Sequence, residues 1–128
     1  RKAHQFIVFT VHHPSQLALA DFLRADPGFA AGLAEFYRAK RDFFRQQLAG
    51  SRFELLPSDG TYFQLARYDK INDQPDREFA RWLTIEKGVA VIPVSAFMPD
   101  GSDYGLIRFC FAKNEATLAA AGEKLRAV

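Results

Sequence analysis

The hydrophobic period of this chain changes at Gly50, and that change limits the fold more than any other feature. Before it, Phe29, Leu33, Phe36, Tyr37, Phe43, Phe44 and Leu48 recur near helical spacing. They predict a long amphipathic helix over about 29–49. Lys40, Arg41, Arg45 and Gln46 fall mostly on its polar side, and Gly50 suits the residue just past a helix end. Beyond Gly50, "RFELLPSDGTYFQLARY" reads as two short strands around a turn at Pro57–Gly60. The stripe suggests a helix lying across a sheet, or one bridging two domains.

The remaining segments fit the same plan. Periodicity leaves residues 1–10 open between helix and strand. His13-Pro14 opens a helix with Leu17, Ala20, Phe22 and Leu23 on its apolar side, and Asp26 with Pro27 is expected to cap and start the long helix. A further helix runs from Pro75 to Lys87, with Phe79, Trp82 and Leu83 inward and Gly88 as its stop. "VAVIPVSAF" is a short strand ended by Pro93, "LIRFCFA" is another, and a last helix over about 115–127 follows an Asn114 cap. The order α-α-β-β-α-β-β-α predicts an α+β class (an α/β sandwich): a small, mostly antiparallel or mixed sheet with helices packed on it.

Bulk properties exclude several roles. The chain has 128 residues, 48% hydrophobic and 25% charged, with a net charge of +2 and both signs interspersed. That composition supports a real core. It offers no basic stripe, so nucleic acid is not an expected partner. No apolar run reaches the roughly 20 residues that span a bilayer, so no membrane partner is expected either. The single Cys110 precludes an internal disulfide and fits a reducing, cytoplasmic location. The opening "RKAHQFIVFTV" lacks an initiator Met and is already patterned, as in a piece of a longer protein.

The residue that stands out chemically is Arg108. In a period-two reading Ile107, Phe109 and Phe111 share one face, while Leu106, Arg108 and Cys110 share the other. A guanidinium among apolar neighbours is costly unless it meets an anion or reaches water. No carboxylate lies within two residues, so the partner is either a distant Asp or Glu or a ligand. Arginine suits a carboxylate or phosphate, whose paired oxygens match its parallel N–H groups. Other candidates are weaker. His12 and His13 point in different directions, and only His4 could add to them, so no metal is expected. Ser95 has no nucleophile-elbow motif around it, and Asp59-Gly60 reads as a turn. Spacing alone yields no complete catalytic set.

Several stretches, in order, nevertheless share one likeness. "HQFIVFTVHHPSQLALADFL", "SDGTYFQL", "GVAVIPVSAF" and "LIRFCFAKNEATLAAAGEKL" resemble the carboxyl-terminal portion of the fold-type-I, pyridoxal-phosphate-dependent aminotransferases. The methionine and kynurenine (glutamine-like) subgroup is the most similar. The resemblance implies residues 1–25 as the tail of a large cofactor-binding domain with an interface loop, and 26–128 as the small domain. It gives Arg108 the α-carboxylate of the amino-acid substrate and places the aromatic Tyr62 near that substrate. Val11 and His12, in "FTVHHP", would line the pocket of the neighbouring subunit in a homodimer. The loop usually written P-G-S-x-F has Val94 in place of its glycine, which bears on how closely the backbone can approach there.

The resemblance also implies what is missing. None of Lys2, Lys40, Lys70, Lys87, Lys113 and Lys124 lies in the serine-rich context of the family's cofactor-bound lysine. A catalytic residue is therefore not expected in this chain, and the chain alone is expected to be inactive. The implied parent activity moves an amino group between an L-amino acid and a 2-oxo acid on pyridoxal 5'-phosphate. A β-lyase acting on cysteine S-conjugates, and a non-catalytic amino-acid-binding module, fit the same residues.

Overall fold

Alternation of burial builds the sheet. In the computed structural model, which describes residues 2–128, β1 (Glu54–Leu55), β2 (Phe63–Arg67), β3 (Ile92–Pro93) and β4 (Leu106–Cys110) form one sheet in the order β1-β2-β4-β3. Every pairing is antiparallel, which settles the open choice between antiparallel and mixed. Gln64 and Ala66 of β2, and Ile107 and Phe109 of β4, are buried on one face, while the residues between them are only half-buried. β4 is interior to the sheet, with Leu65 and Ile92 directly opposite Arg108 on its two neighbours. Pro93 ends the short β3 ladder, as its missing N–H requires.

The helices among the described residues are α1 (Lys2–Val8), α2 (His13–Ala25), α3 (Phe29–Gln47), α4 (Asp76–Lys87) and α5 (Glu115–Arg126), with a 3-10 turn at Val94–Phe97. Residues 2–8 thus choose helix where periodicity left the choice open. Gly88 stops α4 in the left-handed region, at φ 64°. Asn114 caps α5, its side-chain oxygen accepting from the Thr117 N–H at 2.8 Å. Asp26 does not cap α3 with its side chain. Its N–H instead closes α2 on the Phe22 carbonyl at 2.9 Å, and its own carbonyl accepts from the Phe29 N–H at 3.3 Å. The backbone makes the link that the side chain was expected to make.

The chain divides into two compact units, the first ending at Ala34 and the second running Glu35–Val128. In the first, none of the described residues is buried, and Phe6, Ile7 and Phe9 are 74%, 82% and 86% exposed. The apolar stripe of α3 is likewise split: Phe29 and Phe36 are exposed, whereas Phe44 is buried, as is Leu48 just past the helix. Among the described residues, no helix is long and apolar enough to cross a membrane.

The core belongs to the second unit. Phe44 of α3 meets Phe109 edge-on at 5.5 Å, Phe53 meets the same ring at 5.5 Å, and Tyr68 stacks on Phe79 of α4 at 4.1 Å. Leu83, Ile107 and Leu125 are fully enclosed, each contributing about 1.5–3 kcal/mol by burial. Gln64 is a buried polar side chain on this face, and it is satisfied. Its amide donates to the Leu56 and Leu65 carbonyls at 2.6 and 2.8 Å, and its oxygen accepts from Arg45 at 2.8 Å. This network ties α3 to the β1–β2 hairpin. Gly122 lets α5 approach the end of α3: a Cβ there would lie 2.5 Å from Gln47 Cβ.

Two stability outcomes follow from this packing. Gly122→Ala gains about 1 kcal/mol in helix propensity but overpacks the contact by about 1–3 kcal/mol, so a net loss is expected in urea unfolding. Tyr68 supplies the second. Burial, with the Asp103 and Asp76 carboxylates adding to it, raises its pKa well above the ordinary tyrosine range, and its hydroxyl donates to the Gln74 carbonyl at 2.8 Å. The fold thus favours the neutral phenol. The resulting stability is complete below about pH 10 and is lost as pH rises further. Urea midpoints between about pH 8 and 11 should fall more steeply for the native chain than for Tyr68→Phe. Parallel slopes would remove Tyr68 as the cause.

Candidate functional site

Arg108 projects from the middle of β4 onto the face of the sheet opposite the core. Ile107 and Phe109, its neighbours in sequence, are 0% and 3% exposed. On Arg108's own face the paired residues are Phe63, Leu65, Arg67, Ile92, Leu106 and Cys110, and none of them is buried. The sequence reading placed Arg108 between two apolar faces. In the structure only one of these is a core, and the other is half open.

Two aromatic rings hold the guanidinium. Its central carbon lies 3.9 Å from the Phe63 ring centroid and 4.6 Å from that of Phe97. Cation–π contact with both rings restrains the planar head and recovers part of its lost hydration. Among the described residues the Arg108 side chain forms no ion pair and no hydrogen bond, and its buried Nε has no partner. An internal Asp or Glu, one of the two partners the sequence left open, is therefore not among them. Beside the guanidinium is a cleft of about 300 Å³, walled by Pro57–Thr61, Phe63, Leu65 and Arg108. Asp59 is the acidic residue of this wall, and it makes no ion pair with Arg108. A cation held by rings, with its donors free, is equipped to receive a planar oxyanion.

The wall of the cleft has a local cause. Thr61 adopts φ 64°, a left-handed conformation unusual for a threonine, and its hydroxyl accepts from the Phe63 N–H at 3.0 Å. The chain then enters β2 with Phe63 on the Arg108 face. Tyr62 is 43% exposed, and its ring lies 4.3 Å from Phe63 and 5.9 Å from Tyr37. The ring of Phe63, not that of Tyr62, stacks on the guanidinium.

Val11 and His12 belong to the first unit, in the exposed connection between α1 and α2. His12 Nδ1 is 2.8 Å from Ser15 Oγ, and the Val11 carbonyl accepts from Gln16 Nε2 at 3.3 Å. Val94 begins the 3-10 turn without a positive φ, so its backbone has no need of glycine there. Sequence reasoning missed Phe63 and Phe97. The parity of β2 places Phe63 and Leu65 on one face, but only the register with β4 shows that this is the Arg108 face. Phe97 comes from a loop, for which no period exists.

The residues of the cleft do not make a site for an amine-linked cofactor. Lys40 donates to the Lys113 carbonyl at 2.8 Å, Lys70 lies 3.8 Å from Glu54, and Lys87 sits over Trp82 at 5.5 Å. No lysine lines the Arg108 cleft.

Comparison with known proteins gives this geometry its setting. The model of the family "Aminotransferase class I and II" matches residues 1–125. The chain belongs to this family. It is 52% identical to methionine aminotransferase from Escherichia coli (strain K12) over 126 residues, which are 98% of this chain and 33% of that protein. Kynurenine–oxoglutarate transaminase 1 of Rattus norvegicus is 33% identical over 98% of the chain and 35% of its own length. Among solved structures, that of YbdL from Escherichia coli, described as identifying a methionine aminotransferase function, superposes with a TM-score of 0.90. It is 51% identical, over 99% of this chain and 34% of that one. N-Succinyldiaminopimelate aminotransferase from Mycobacterium tuberculosis gives a TM-score of 0.85 at 34% identity, over 96% of this chain and 32% of that one. This chain thus spans about a third of the length of the curated relatives it matches.

The stack on Arg108 sets its share of stability. Cation–π contact contributes about 0.5–2 kcal/mol, while an orphaned buried N–H costs about 1–3 kcal/mol. Arg108→Met should therefore leave the unfolding free energy within about 1 kcal/mol of the native value. A loss of several kcal/mol would reveal a structural partner for the arginine.

Proposed function

We propose that this chain is the substrate-carboxylate-binding part of a larger aminotransferase. The enzyme transfers an amino group between an L-amino acid (methionine, aromatic or kynurenine-like) and a 2-oxo acid. One observation carries the reading: a half-buried arginine, stacked between two rings and left without a protein anion, faces an open cleft. The substrate class draws support from the likeness to methionine and kynurenine aminotransferases.

The chain's own residues bind and orient. Arg108 grips the α-carboxylate through two parallel N–H bonds, and this fixes the direction of the substrate's Cα–H bond. Phe63 and Phe97 keep the guanidinium in one plane, so little freedom remains to be lost on binding. Tyr62, its ring 4.3 Å from that of Phe63, brings a second aromatic group near the substrate. Pyridoxal 5'-phosphate, the cofactor of this family, supplies the electron sink when bound, and its site lies outside this chain's cleft. In a homodimer, exposed Val11 and His12 line the partner subunit's pocket. The lone free thiol, Cys110, fits a cytoplasmic setting.

In the full-length enzyme that carries this segment, Arg108→Lys keeps the charge but loses the fork. KM for the amino acid and for the 2-oxo acid should both rise, by about tenfold or more. Unchanged values for both substrates would overturn the role of Arg108.

A further inference from the structure

Phe63 and Phe97 are held in different ways. Phe63 belongs to β2 and is fixed by a five-residue ladder to β4. Phe97 belongs to a four-residue 3-10 turn that no side chain caps, and such a turn is weak on its own. Something outside the turn must keep its ring on the guanidinium.

That anchor is Ser95, which is 3% exposed. Its N–H donates to Asp76 Oδ2 at 2.7 Å and its hydroxyl to Asp76 Oδ1 at 2.6 Å. The hydroxyl also accepts from Arg77 Nε at 3.2 Å, and the Ser95 carbonyl accepts from the Met98 N–H at 3.1 Å, closing the turn. Asp76 is itself 1% exposed and opens α4, yet both of its carboxylate oxygens point to Ser95 and neither caps α4. Its backbone N–H is met instead by Asp103 Oδ2 at 2.8 Å, while Asp103 Oδ1 accepts from the Gly105 N–H at 2.8 Å, just before β4. A carboxylate at a helix start is favoured by the helix dipole, and charge-assisted bonds are the strong ones. The arrangement joins both ends of the 94–105 connection to the first turn of α4.

Taking Arg108 as the carboxylate fork, a reading on which this step rests, we propose that Asp76 and Ser95 are positioning residues for substrate. Their paired hydrogen bonds fix the turn that lays Phe97 over the guanidinium. Loss of the pair lets the Phe97 ring leave, and Arg108 then samples orientations that do not match a carboxylate. Because the amino acid and the 2-oxo acid present the same group, both are affected alike.

The test is a double-mutant cycle in the full-length enzyme. Asp76→Asn presents an amide N–H₂ to one of the two Ser95 donors, and KM for both substrates should rise about threefold to tenfold, with kcat changed less than about twofold. Phe97→Leu should do the same. In the Phe97→Leu background, Asp76→Asn should add less than about 1.5-fold, because its route to Arg108 is already broken. Ser95→Ala removes one hydroxyl and serves where Asp76→Asn does not fold; its effect should also vanish in that background. If Arg108→Lys raises both KM values but the Asp76 or Ser95 effects are absent, or multiply with that of Phe97→Leu, the positioning role is overturned alone. If Arg108→Lys changes neither KM, the carboxylate reading and the positioning role fall together.

Discussion

A guanidinium without a protein anion is the constraint around which the sheet face is arranged. Such a group is tolerated only if rings replace part of its hydration and its remaining donors reach solvent or a ligand. Here Phe63 and Phe97 do the first, and the cleft beside Pro57–Thr61 allows the second. Replacing Arg108 by an apolar residue would cost the fold little. Its presence is better explained by what it can bind than by what it holds together.

The sheet makes this possible by separating two tasks. The face with Ala66, Ile107 and Phe109 packs against Phe44, Phe79, Leu83 and Leu125 from three helices, giving β4 a rigid seat. The other face holds Arg108 among apolar groups that are not buried, with the exposed Arg67 on β2 and Glu54 on β1. Because β4 is interior, ladders on both sides fix the Arg108 backbone. Site residues mounted on a central strand are located more exactly than those on loops, so the loop residue Phe97 is the part that needs a separate anchor.

Beyond residues 1–10, where period left helix and strand open, the strands and helices were legible because their periods are clear. The parity of "LIRFCFA" already put Arg108 opposite Ile107 and Phe109, and Gly88 and Asn114 marked their helix ends as read. Other features were not legible, for physical reasons. Period identifies the apolar face of a helix but not what covers it, so the stripe from Phe29 to Leu48 looked continuous although only its latter half is buried. The link of Asp76 to Ser95 spans nineteen residues and depends on loop geometry that no local pattern encodes. No pattern marks Gln64 as part of the core, where Arg45 and two carbonyls satisfy it. The family likeness supplied a role for Arg108 that spacing alone left open, while the rings that hold it came only from the register.

On the proposed function, the partner of Arg108 is the α-carboxylate of the substrate. A crystal structure of the full-length enzyme with an unreactive amino-acid analogue bound tests this most directly. The account expects both carboxylate oxygens within about 2.7–2.9 Å of the Arg108 guanidinium nitrogens, with Phe63 and Phe97 still stacked on it. A carboxylate bound elsewhere, with Arg108 paired to an Asp or Glu of the enzyme, would contradict it.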